Sequence, residues 1–139
     1  MKTFILVADG SRASLYSRTS EQPQIRLMEA WDNQGGRTPD HHSESDDLGS
    51  SRPGSSMTPH TDPKRHSQQV FAKKLSTVLN ERVSGYDQLV VAAAPKFLGD
   101  LRQDFGDAVS QKIVAELDKD LTHLSIYELA PHFEEVLAT

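Results

Sequence analysis

Leu89-Val90-Val91-Ala92-Ala93-Ala94-Pro95 decides the fold. A run this apolar, with no polar residue to face water, reads as a strand covered on both faces. Covering both faces takes helices on both sides of a sheet, which places the chain in the α/β class. Pro95 then opens a short helix through Phe97, Leu98 and Leu101 that ends near Gly106. Upstream, Phe71, Leu75, Val78 and Leu79 fall on one stripe of a long helix. Asp62 is its N-cap, Pro63 its first residue, and Gly85 the expected left-handed cap at its end.

Working outward, Phe4-Ile5-Leu6-Val7-Ala8 is a first strand, and Asp9 to Arg12 turns it into a second, Ala13 to Ser17. A turn at Glu21-Gln22-Pro23 leads to a third strand, Ile25 to Trp31. Ile113 to Leu117 is the fifth strand. Ser125 and Glu128 form a capping box before the last helix, with Leu124 and Leu129 as the apolar staple. Pro131 inside that helix predicts a kink or a restart. The expected order is β-β-β-α-β-α-β-α, the ribonuclease-H-like order, with a mixed five-stranded sheet in a single domain spanning 1–139. Between Asp32 and Asp62 the only large apolar residues are Leu48 and Met57, while four of the eight glycines fall there. That composition predicts a long polar loop inserted at 32–62.

The chain has 139 residues, 36% of them apolar and 25% charged, a net charge of −5 and no cysteine. Without cysteine there are no disulfides, thiolate metal sites or thiol nucleophiles. A pI near 5.6 opposes generic binding to nucleic acid or anionic membrane. The longest apolar runs fall well short of the roughly 20 residues a membrane helix needs. The apolar start is too brief for a signal peptide, so a cytoplasmic protein is expected, with no membrane partner and no cofactor.

The element order raises a nuclease first. Two-metal hydrolysis needs several converging carboxylates. Asp9 is well placed at the end of the first strand, and Asp118 and Asp120 leave the fifth. The exit of the fourth strand, however, offers Ala93-Ala94-Pro95 in place of an acid. Asp9 is better read as a turn former, and no catalytic residue is assigned. His41, His42, His60 and Asp62 are the metal ligands to consider in the loop. Their spacing matches no compact ligand pattern, and a solvated polar loop explains them. Lys64, Arg65, His66, Lys73 and Lys74 give the long helix a basic side able to meet phosphate. Lys96 sits at the helix start after the fourth strand.

Leu6-Val7-Ala8-Asp9 with Arg12-Ala13, Phe71-Ala72-Lys73-Lys74-Leu75, Ala93-Ala94-Pro95-Lys96-Phe97-Leu98-Gly99-Asp100-Leu101-Arg102 and Glu116-Leu117-Asp118-Lys119-Asp120-Leu121-Thr122 together resemble the bacterial host attachment protein family. That family is grouped with the middle domain of archaeo-eukaryotic peptide-chain release factors. The resemblance implies a binding module linked to the translation machinery (ribosome or tRNA) or to a regulatory protein. Release factors carry Gly-Gly-Gln before their first long helix. Here the loop reads Gln34-Gly35-Gly36-Arg37. Arginine accepts no hydrogen bond and cannot position a water as glutamine does, so esterase activity is not implied. Gln34, Gly35, Gly36 and Arg37 remain candidate contact residues. The alternatives are a metal-dependent hydrolase using Asp9, Asp118, Asp120 and loop histidines, and a homo-oligomer paired through an open sheet edge.

Overall fold

A computed structural model of the protein describes residues 1–36 and 63–137. Within them one mixed sheet of five strands carries four helices. The strands are β1 (Lys2–Ala8), β2 (Arg12–Thr19), β3 (Arg26–Asp32), β4 (Gln88–Ala93) and β5 (Ile113–Leu117), in the spatial order β3-β2-β1-β4-β5. β2 pairs antiparallel with β1 on one side and β3 on the other, whereas β1, β4 and β5 are parallel. The helices are α1 (Pro63–Glu81), α2 (Pro95–Asp104), α3 (Asp107–Lys112) and α4 (Ile126–Leu137).

The apolar runs of β1 and β4 are what the two central strands need. Every residue of β1 after Lys2 is buried, and so is every residue of β4 after Gln88. Alternate side chains feed two cores. Phe4, Leu6, Leu89 and Val91 pack with Phe71, Leu75 and Leu79 of α1 and with Phe97, Leu98 and Leu101 of α2. Ile5, Val7, Tyr16, Val90 and Ala92 pack on the other side with Leu129 and Phe133 of α4. Tyr86 closes the first core below β1. Its ring stacks on Phe4 at 4.7 Å, and its hydroxyl donates to the Leu79 carbonyl at 3.1 Å. Burial pushes that phenol up to about 12.

The capping box forms as the sequence predicts. The Glu128 amide donates to Ser125 Oγ at 3.2 Å, and the Ser125 amide donates to Glu128 Oε1 at 2.9 Å. Three expectations need correction. No described glycine has positive φ, so Gly85 is no left-handed cap. α1 ends at Glu81, and Gly85 closes a 3₁₀ turn whose amide donates to the Arg82 carbonyl at 2.8 Å. The stretch after Gly106 holds an extra helix, α3, which runs straight into β5. Its Val109 is buried in the first core, a contact that strand periodicity does not encode. Finally, of the kink or restart expected at Pro131, the restart does not occur: α4 continues through it as one helix. Pro131 removes only the bond to the carbonyl of Tyr127, which lies in the solvated first turn. The loop expected at 32–62 lies outside the described residues beyond Gly36.

One ion pair fixes α1 on α2. Arg65 meets Asp100 bidentately, Nη1 to Oδ2 at 2.6 Å and Nη2 to Oδ1 at 2.5 Å. The Asp100 side chain is 8% exposed and the Arg65 side chain 24%. Losing either partner strands a desolvated charge, and the carboxylate is the more deeply stranded of the two. Arg65→Met is therefore expected to cost about 3 kcal/mol in urea unfolding, and more than Asp100→Ala, whose leftover guanidinium can reach water. Equal costs would contradict this assignment.

Candidate binding surface at the carboxyl end of the sheet

Parallel β1, β4 and β5 all finish at the same end of the sheet, where open α/β sheets gather their functional groups. Asp9 follows β1 directly. Its Oδ1 accepts the amides of Ser11 at 2.7 Å and Arg12 at 2.9 Å, and the Ser11 hydroxyl at 2.9 Å. This is the turn-forming role the sequence predicts. Oδ2 accepts the hydroxyl of Thr122, from the segment after β5, at 2.9 Å. Partial burial raises the carboxyl's pKa, but the bonds from Ser11, Thr122 and Arg12 outweigh it and hold Asp9 below the usual carboxylate value.

Thr122 also touches Asp120, whose Oδ1 accepts the Thr122 amide at 3.0 Å and lies within hydrogen-bond distance of the same hydroxyl. One hydroxyl proton cannot serve two carboxylates at once. His123 Nε2 lies 3.9 Å from Asp120 Oδ2, and ligating atoms of Asp9, Asp120 and His123 all fall within 4.8 Å of one another. Asp118, expected beside them, is exposed and instead adds to the field that raises the Arg102 pKa, after the hydrogen bond and charge of Glu116. Sequence reading thus found Asp9 and Asp120 and missed Thr122 and His123. The spacing Asp120-x-Thr122, a side chain closing on its own backbone two residues on, was the available signal.

A second junction lies on the α1 side of the same end. Asn33, just past β3, donates through Nδ2 to the Gly10 carbonyl at 3.0 Å and to the Ser67 carbonyl at 3.3 Å. Its backbone amide donates to the Ser11 carbonyl at 2.8 Å, and Ser67 Oγ donates to Asn33 Oδ1 at 3.3 Å. One asparagine therefore ties the β1–β2 turn, the end of β3 and the first turns of α1. Gln34–Gly36 continues as a single 3₁₀ turn against α1. A Cβ on Gly35 would come within 2.5 Å of Ser67 Oγ and 3.2 Å of its Cβ, so glycine permits this approach.

The structure thus brings Gln34 and Gly35 beside the start of α1, as the sequence suggests. His66, Lys73 and Lys74 are exposed along the solvent stripe of α1, with Gln69 and the 55% exposed Val70 between them. Lys64 is half-buried, and Lys96 is exposed in the first turn of α2. Arg65 differs: its guanidinium is engaged by Asp100. Arg37, His41, His42, His60 and Asp62 lie outside the described residues. Asn33, Ser67 and Asp100 went unnoticed in the sequence because nothing local marks them; only tertiary packing gives them partners.

A family model described as "Protein required for attachment to host cells" matches residues 4–133. The chain belongs to that family. No curated protein matches this host attachment family member. The match runs from within β1 through the other four strands and most of α4, so both junctions lie within it. Among the described residues no helix is long and apolar enough to cross a membrane.

Asp9→Asn keeps the shape of the clasp and removes its charge. The substitution is expected to cost about 1–2 kcal/mol at neutral pH. A carboxylate with a depressed folded-state pKa contributes stability above its unfolded value, near 4, and loses it as pH falls through the lower folded value. The gap between wild type and variant should therefore close in that acid window in thermal melts. A gap independent of pH would contradict the charge-based clasp.

Proposed function

We propose that this host attachment family member is a non-catalytic binding module whose contact surface is the α1 side of the sheet's carboxyl end. The observation that carries the reading is the junction at Asn33. It fixes the Gln34–Gly36 turn against the start of α1, whose solvent stripe carries the exposed His66, Lys73 and Lys74. Solvated cations on one rigid helix face suit a phosphate backbone. The grouping of the host attachment family with release factors is what supports a partner in the translation machinery, a ribosome or tRNA, with a regulatory protein as the alternative. The acidic balance of the whole chain then restricts contact to this stripe, and binding falls as salt is added. In sucrose gradients at low salt the protein is expected to travel with ribosomes, and Lys73→Glu with Lys74→Glu is expected to return it to the light fractions. Intact protein that stays light at low salt would remove the translation reading.

A second reading, a metal-dependent hydrolase, is favoured by the mutual approach of Asp9, Asp120 and His123. A divalent cation there would relieve the two carboxylates that share one hydroxyl proton, and mixed oxygen and imidazole donors suit manganese or zinc. Phosphodiester hydrolysis with added manganese separates this from binding alone. Activity lost in both Asp120→Asn and His123→Ala would establish it, and equal rates in wild type and variants would dismiss it.

A further inference from the structure

A cleft of about 450 Å³ opens on the opposite side of the molecule, between the β2–β3 connection and α4. Its size falls within the range of small-molecule sites. Pro23 and Ile25 form one wall, and Ile126, Ala130 and Phe133 the other. Tyr127 stands in the lining, 86% exposed, the most exposed large apolar side chain among the described residues. A second, smaller cleft of about 120 Å³ adjoins it, lined by Thr3, Thr19, Ser20 and Gln88 among others. Arg18 lines both clefts.

The sheet explains this arrangement. Thr3 pairs with Arg18 across β1 and β2 and with Gln88 across β1 and β4, so the three form one row. The row lies on the α4 face, one step beyond Ile5 and Tyr16, at the end of the sheet remote from Asp9. Arg18 is half-buried, and among the described residues no carboxylate pairs with it and no acceptor takes its guanidinium protons. The other arginines in comparable surroundings, Arg65 and Arg82, each hold a carboxylate. A half-buried guanidinium between a cleft with apolar walls and a polar one matches a ligand with an apolar body and an anionic head.

We propose that this cleft binds an amphipathic carboxylate, its hydrocarbon body between Ile25 and α4 and its head on Arg18. Glu134 of α4 also lines the cleft. The site shares no residue with the α1 surface and stands independently of the function proposed for it.

Decanoate titrated into the isotope-labelled full chain is the test, followed by amide chemical shifts. Saturable shifts at Ile25, Ile126, Tyr127 and Ala130 are expected. Arg18→Gln should weaken decanoate at least tenfold while leaving decanol binding unchanged. Tyr127→Ser, at an exposed position that does not support the core, should weaken both severalfold. Absence of saturable shifts up to millimolar decanoate would overturn the proposal. So would equal affinity for decanol and decanoate with no effect of Arg18→Gln. Shifts at Tyr127 that follow protein concentration alone, with a dimer in sedimentation, would assign the cleft to a second copy and likewise overturn it.

Discussion

β1 and β4 lie side by side in parallel with both faces out of water, and the remaining architecture answers that constraint. Phe4, Leu6, Leu89 and Val91 on one face, and Ile5, Val7, Val90 and Ala92 on the other, must all be covered. Each fully buried aliphatic side chain is worth about 1.5–3 kcal/mol relative to exposure. Helices are therefore required on both sides: α1 to α3 cover one and α4 the other. Two parallel strands cannot be joined by a hairpin, so the chain must cross over, and α1 is that crossover. The hairpin of β1 and β2 supplies the antiparallel half, and β3 finishes that edge with an irregular register opposite Leu15 and Tyr16. A bulge on an edge strand discourages pairing with another chain.

Once the parallel strands end together, the polar groups after them are held at one place by short bonds. Asp9 collects four donors across two elements, and Asn33 ties three elements. Arg65 and Asp100 fix the angle between α1 and α2. These groups are mutually satisfied, which suits a rigid platform more than a reaction centre. The exposed cations of α1 ride on that platform. Among these groups the shared proton at Thr122 leaves a local electrostatic imbalance, and it sits beside His123, not on the α1 side.

Much of the fold was legible because the relevant signals are local. The apolar runs of β1 and β4, the stripe of Phe71, Leu75 and Leu79, and the Ser125–Glu128 box all act within a few residues of themselves. α3 escaped because six residues show too little periodicity, and the burial of Val109 is decided by the sheet it meets. Gly85 misled because glycine after a helix is a statistical sign of a left-handed cap, whereas here the chain tightens into a 3₁₀ turn instead. In the site, Asp9 was readable as a turn former from Asp9-Gly10-Ser11. Thr122, Asn33 and Asp100 take their roles from residues as far as 113 positions away, which no local pattern carries. Arg65 looked like a surface cation for the same reason.

Amide hydrogen exchange of the protein alone and with ribosomes tests the binding surface most directly. The expected result is added protection confined to residues 33–36 and 64–74, with β4 and α4 unchanged. Protection that falls on α4 or the Asp120–His123 segment, with none on α1, would contradict it.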